Sequence, residues 1–358
     1  MKAEVVPSLS VVIPTLGRPS LLRTLESLAR QRAPERLEII VVGAIAGTDL
    51  ARAIDGFAGR GLQVRHLPLS FPQGDSSRKK NAGWQAARAE IVAFLDDDVA
   101  ALPDWADRIL APFRDASVRI VSGPGLVPDD ARGFARWGGL ALSSAAAGYV
   151  SERYRGGSPT PRAAPWSRII GCNMAWRRAA LEAVGGFDPA FWPGEEMIAA
   201  WRAAGAGAAA GALMAHPGAA VFHEPRATVG SFWRQVVGYG ATRLRLIRAG
   251  TAVEWPTLLP AAALPVAAAL LALATRFRWA AGVWAAGAVG YGVFALAAAA
   301  GVVRRTGRPR DWAVVMAIPL MHLAYGWGFW RELLRPGRDL GAAGRAARPR
   351  PNAAKRGG

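Results

Sequence analysis

The chain has 358 residues, is 52% hydrophobic, contains one cysteine and carries a formal net charge of +18, which allows one large domain or two ordinary ones. The lone Cys172 excludes an intrachain disulfide and a zinc ribbon and fits a reducing compartment for the main domain. Nucleic acid is excluded as a partner: from residue 255 onward fourteen Arg and Lys face three acids, so +11 of the charge lies beside or after apolar spans, and there is no helix-turn-helix, finger or aromatic RNA-binding signature.

Residues 1–9 lack the apolar run of a signal peptide, so the first domain is expected in the cytoplasm. Residues 10–13 form a β-branched strand ended by a Pro/Gly turn at 14–19. Leu21, Leu22, Leu25 and Leu28 then recur at helical spacing, with Ser20 as the expected N-cap. Strands are predicted at 37–42 and 63–67, and a helix at 81–88. The strand at 91–95 runs directly into Asp96, Asp97 and Asp98. This alternation predicts an α/β fold with a mainly parallel sheet covered on both faces. Ligands of such sheets bind where the strands end. Three adjacent carboxylates repel one another, so they call either for solvation or for a hard divalent cation coordinated by oxygen.

A further strand is predicted at 118–122. Residues 123–165 are rich in Gly, Pro and Ala, carry no periodicity and suit mobile loops. Helices are expected at 179–184 and 197–204, and a strand at 219–223. Apolar stretches follow at 257–274, 279–303 and 312–330, with Trp255, Trp279, Trp312 and Trp330 where interface anchors belong. Each is long enough to cross a hydrocarbon core of about 30 Å. Membrane lipids are therefore expected partners. Topology is contested: three spans place a tail with eight Arg and Lys outside, whereas two spans with 257–274 re-entrant expose the 304–310 loop. Length favours three spans and charge favours two.

The order of motifs resembles the inverting family 2 glycosyltransferases, in particular bacterial exopolysaccharide and cell-envelope members with a GT-A domain followed by membrane segments. The resemblance rests on Ser10–Thr15 with Arg18, on Arg78-Lys79-Lys80-Asn81-Ala82-Gly83, and on Phe94-Leu95-Asp96-Asp97-Asp98. It continues through Gly171-Cys172-Asn173-Met174, Gly185-Gly186-Phe187-Asp188, Gly194-Glu195-Glu196, His223-Glu224-Pro225-Arg226 and residues 235–243, to the aromatic segment 321–329. It implies a GT-A domain over 1–254, a membrane region over 255–335 and a basic, disordered tail over 336–358.

The resemblance implies transfer of a sugar from a nucleotide-diphosphate donor to a lipid-linked saccharide or polysaccharide acceptor, at the cytoplasmic face of the bacterial inner membrane. Such a reaction needs a cation on the departing diphosphate, where charge grows as the glycosidic bond breaks. The family's Asp-x-Asp motif matches Asp96 and Asp98, which with His223 would hold Mn2+ or Mg2+. Pro14, Thr15, Arg18, Lys80, Asn81, Asp96 and Asp97 would contact the donor. Inversion also needs a carboxylate that takes the acceptor's proton. Glu196 matches the position of the family's Asp, and Glu195 is the alternative base. Read without the resemblance, the pair simply starts a helix, where acids meet the dipole favourably. Cys172, Asn173 and Trp201 would face the acceptor.

Two departures stand out. Glu replaces Asp at 196, one methylene longer, and the family's base-reading aspartates after the second strand are missing from Val41-Val42-Gly43-Ala44, with Asp49 the next candidate along. The second departure implies altered nucleotide preference. Both leave open a non-enzymatic alternative, a degenerate sugar-binding or assembly subunit. A nucleotidyltransferase is disfavoured because a Gly-rich N-terminal phosphate loop is lacking. The region 235–243 lacks the Gln-x-x-Arg-Trp pattern of processive synthases, so single-sugar addition is expected.

Overall fold

The computed structural model describes residues 6–57, 60–72, 75–157, 160–205 and 211–335. The proposed tail at 336–358 lies outside the described residues. The chain opens with β1 (Leu9–Pro14), α1 (Ser20–Ala29), β2 (Leu37–Val42), α2 (Asp49–Asp55), β3 (Gln63–Leu67), α3 (Asp75–Ala86) and β4 (Ile91–Leu95). It continues through β5 (Val99–Ala101), α4 (Trp105–Leu110), β6 (Ile120–Ser122), β7 (Gly125–Leu126), α5 (Gly133–Leu142), β8 (Arg162–Ala163), β9 (Asn173–Arg177), α6 (Arg178–Val184) and α7 (Glu195–Ala203). The last elements are β10 (Leu213–Ala215), β11 (Val221–His223), α8 (Val229–Arg248), α9 (Leu259–Ala274), α10 (Arg278–Thr306) and α11 (Val314–Leu333).

The main sheet has the order β3-β2-β1-β4-β9-β6-β10-β8. Strands β1 to β4 are parallel, with Val11 opposite both Ile39 and Ala93, while β9 runs antiparallel to β4 and β6. The expected mixed, mainly parallel sheet is therefore present. β2 and β4 are buried at every position, as a sheet covered on both faces requires. A second small sheet, β5-β11-β7, sets Val99 beside His223 and so brings the end of the acidic trio to the histidine. Phe187 locks the turn after α6 into the core, edge-on to Phe94 at 5.0 Å and to Trp176 at 5.7 Å.

Several expectations are corrected. Ser20 is the first helical residue and makes no cap bond, because Pro19 occupies the N-cap in helical geometry. α3 starts at Asp75, well before residue 81. Its close approach to β1 explains Gly83: a Cβ there would lie 2.2 Å from Val12 Cγ1. Residues 123–165 are not merely loops, because they contain α5, whose Leu140, Ala141 and Leu142 join a core with α8, α10 and α11. Glycines concentrated at helix contacts hid its period from the sequence.

The three apolar helices differ in surroundings. α9 and α10 form a hairpin exposed along most of its length, whereas α11 packs along α8. The contact is backbone to backbone, since a Cβ on Gly240 would meet Tyr325 O at 1.9 Å and one on Gly328 would meet Val237 O at 2.1 Å.

Candidate active site

The acidic trio leaves β4 in three directions. Thr15 Oγ1 donates to Asp97 Oδ2 at 2.6 Å, and Leu16 N donates to the same oxygen at 3.3 Å. Asp97 thus holds the β1–α1 loop and turns away from its neighbours' cavity. Asp98 Oδ1 is buried without a well-aligned hydrogen bond and lies 3.1 Å from His223 Nε2, while Asp96 Oδ2 lies 4.0 Å from the same nitrogen. Arg18 stands 3.7 Å from Asp98 on the solvent side.

One ligand atom from each of Asp96, Cys172 and His223 falls within a 4.8 Å cluster. Burial pushes the Cys172 thiol well up, with Asp96 and Asp98 adding to the effect. A hard cation is better matched by carboxylate oxygens and imidazole than by a soft sulfur. Asp96, Asp98 and His223 therefore fit Mn2+ or Mg2+, and the under-satisfied Asp98 oxygen is the observation that supports the fit. Burial disfavours the charged forms of His223 and Asp98, but their close contact at 3.1 Å raises the histidine pKa and lowers that of the aspartate. Burial raises Asp96, with Lys80 opposing the shift.

A cavity of about 680 Å³ extends from these residues across the start of α7 to α8 and α11, with Lys80, Asp96, Glu195, Glu196, His223 and Arg331 all on its wall. The adjacent glutamates are held differently. Glu195 Oε1 accepts from Lys80 Nζ at 2.9 Å and from Ser76 Oγ at 3.2 Å, and its other oxygen accepts from Gly194 N at 3.2 Å. Burial opposes its charge, but the Lys80 charge and hydrogen bond hold its pKa down. Glu196, half-buried, makes no ion pair and no hydrogen bond to another side chain among the described residues. Burial and the neighbouring Glu195 charge push it up to about 7. Gly171 keeps this corner open, because a Cβ there would sit 3.5 Å from Lys80 Nζ and 3.6 Å from the Glu196 carboxyl carbon.

The remaining sequence-predicted residues separate. Asn81 brackets the Phe187 peptide with 2.7 and 2.9 Å bonds and is a structural clamp. Asn173 is fully buried, its amide bonded to Trp105, Pro124 and Ala219, so it does not reach the cavity as an acceptor contact. Trp201 packs edge-on to Trp166 at 5.6 Å, off the cavity wall. Cys172 does line the cavity. Pro14 ends β1 beside Val42, and Thr15 closes the loop that follows. Gly43 packs so tightly that a Cβ would meet Thr15 O at 2.5 Å, and Asp49 is exposed at the start of α2 in an ion pair with Arg52.

The family model for glycosyl transferase family 2 matches residues 10–185. The chain carries a family 2 glycosyltransferase domain. A pre-mycofactocin glycosyltransferase of Mycobacterium tuberculosis is 28% identical over 235 residues, covering 65% of this chain and 46% of that protein. The succinoglycan biosynthesis protein ExoA of Rhizobium meliloti is 34% identical over 170 residues, covering 46% and 48%. The chain thus spans about half or less of the length of the curated relatives it matches. A solved mannosyltransferase from Pyrobaculum calidifontis, in complex with GDP-Man and Mn2+, superposes with a TM-score of 0.58 over 89% of this chain and 88% of its own, at 23% identity. That likeness shows a shared GT-A fold.

Sequence reasoning missed several residues on the wall of this cavity. Arg153 projects from the unpatterned 123–165 stretch, which offered no signal. Tyr239, bonded to Tyr154 at 2.9 Å and to Gln235 at 2.9 Å, lies within the 235–243 motif but was not singled out. Arg331, one of the eight basic residues counted from the end of the last apolar stretch, also lies on this wall.

Proposed function

We propose that this chain is a metal-dependent inverting glycosyltransferase of the bacterial inner membrane, moving one sugar from a nucleotide-diphosphate donor to a lipid-linked saccharide acceptor on the cytoplasmic side in envelope or exopolysaccharide synthesis. The observation that carries the reading is that one cavity is lined both by Asp96 and His223, the latter 3.1 Å from Asp98, and by Glu196, an unpaired carboxylate pushed up to about 7. A bound divalent cation would supply positive charge against the departing diphosphate. Asp96, Asp98 and His223 would hold it, while Arg18 and Lys80 add fixed positive charge toward the donor phosphates.

Glu196 is the base in this reading. It takes the acceptor hydroxyl proton as that oxygen attacks the anomeric carbon from the side opposite the leaving diphosphate. Glu195, locked to Lys80 and Ser76, positions the start of α7 and keeps the second carboxylate from sharing the proton. The close Gly43–Thr15 contact leaves no room for a base-reading aspartate at 43, which supports altered nucleotide preference. The approach of Asp96 and Asp98 to His223 supports an enzyme over the assembly-subunit alternative. The test is nucleoside diphosphate release from a panel of nucleotide sugars with Mn2+, Mg2+ or EDTA and polyprenyl-linked acceptors. Metal-dependent turnover lost in Asp98→Ala and Glu196→Ala is expected. Metal-independent turnover, or turnover surviving both changes, would overturn the reading.

A further inference from the structure

By length and composition three helices qualify as membrane spans, at Trp255–Ala274, Arg278–Thr306 and Pro309–Leu333. The third is tied to the catalytic domain at both ends. At its start, Arg136 of α5 makes a buried bidentate pair with Asp311 at 2.7 Å, and Arg308 donates to Asp129 O at 2.8 Å. At its end, Glu332 accepts from Arg245 of α8 at 2.8 and 3.2 Å, and Arg331 lines the catalytic cavity. Between them lie the glycine contacts with α8. A 20-residue helix is roughly 30 Å long. A helix of that length with both ends and its middle on one side of the membrane does not cross it.

We infer that α11 lies in the plane of the cytoplasmic membrane surface and that only the α9–α10 hairpin spans, a topology that rests on the membrane reading of the function above. The face of α11 turned from the protein carries Met316, Leu323 and Trp327, all exposed and spaced as one helical stripe. Its occupant is lipid acyl chain, because the stripe continues into the exposed apolar surface of α9 and α10. From Ala295 onward α10 packs against α5 and α11, leaving residues 278–294, roughly 25 Å, to project beside an α9 of about the same length. With α11 sunk about 5 Å into the acyl boundary, the hairpin reaches across a core of about 30 Å. Arg276 and Arg278 at its tip then meet the far head groups and avoid burial in hydrocarbon.

This arrangement removes the conflict between length and charge. Arg304, Arg305, Arg308 and Arg310 fall on the cytoplasmic side together with the basic tail, as the positive-inside tendency requires. Where α10 re-enters the domain, Arg305 joins Arg153, Arg155, Arg162 and Arg168 around a separate cavity of about 310 Å³ in which Glu152 is the sole carboxylate among the lining residues. That places fixed positive charge at the height of anionic head groups.

Single cysteines in the full chain, Thr275→Cys and Ala354→Cys, test the topology with a membrane-impermeant maleimide on intact and permeabilised Gram-negative cells; the buried Cys172 gives the background. The expected result is labelling of Thr275→Cys in intact cells and of Ala354→Cys only after permeabilisation. Labelling of Ala354→Cys in intact cells would restore three spans and overturn the inference. Labelling of Thr275→Cys only after permeabilisation would equally overturn the spanning hairpin. Labelling needs no turnover, so a failure here is distinct from a failure of the transferase reading.

Discussion

Lys80 Nζ lies 2.9 Å from Glu195 Oε1 with both side chains buried, and this pair divides the labour between two adjacent glutamates. Glu195→Gln leaves the Lys80 charge buried and unpaired, at a cost of roughly 3–5 kcal/mol. Glu196→Gln removes no ion pair but removes the proton acceptor, and transfer should fall by about 10²–10⁴-fold with donor affinity kept. Thermal unfolding in detergent alongside single-turnover rates separates the two. Equal melting temperatures with Glu195→Gln as the slower enzyme would reverse the assignment.

The Glu196 carboxyl, raised to about 7, must be ionised to accept a proton. Transfer should therefore rise with pH through about 7, fall near tenfold per unit below it, and level off above. The same shift bears on stability: the contribution of Glu196 to the fold is fully present below the ordinary carboxylate value and is lost as pH rises through about 7. Glu196→Gln should thus gain relative stability above pH 7. A rate profile flat between pH 6 and 8 would contradict the first expectation.

Removal of metal-site side chains should be read by binding as well as by rate. His223→Ala and Asp98→Ala are expected to weaken Mn2+ affinity by at least about tenfold, measured by calorimetry on the purified protein. Asp97→Ala, which frees Thr15 and the β1–α1 loop, should leave Mn2+ affinity unchanged while weakening donor binding. Unchanged Mn2+ affinity in His223→Ala would remove it from the ligand set.

Gly43 and Ala44 separate two explanations of nucleotide choice. Ala44 is exposed and can accept an aspartate without strain, whereas Gly43→Asp drives a Cβ into the Thr15 carbonyl and should destabilise the domain. Ala44→Asp is expected to raise UDP affinity relative to GDP in competition binding. A stable Gly43→Asp protein would show that the Thr15 loop yields.

The α8–α11 contact has no room for side chains. Gly240→Leu should separate the helices, lower the melting temperature and release α11 from the domain, while Gly282→Leu on the open face of α10 should change neither. Limited proteolysis at the α10–α11 connection reads the difference.

Motif order made the fold legible, most plainly at 10–15 and 94–98, which lie on or at the end of the buried strands β1 and β4, where period and turn chemistry are strongest. The approach of Asp96 and Asp98 to His223 was legible for the same reason, since β4 and β11 deliver them. Asn173 and Asn81 were misread because a polar side chain in a motif gives no sign of whether its amide is spent on backbone partners. Arg153 had no signal at all, lying in a segment whose α5 is specified by glycine-mediated packing. For the third apolar stretch composition does not decide between the two placements: a helix covered by protein on one face and lipid on the other carries the same residues as one crossing a bilayer.

Arg331 belongs at once to the in-plane helix and to the wall of the catalytic cavity. The reaction chamber consequently opens at head-group height, and an acceptor anchored in the same leaflet arrives by diffusion in two dimensions. Its encounter rate then follows areal density. Diluting proteoliposomes in buffer should leave turnover per enzyme unchanged, whereas diluting the acceptor with inert lipid should lower it in proportion.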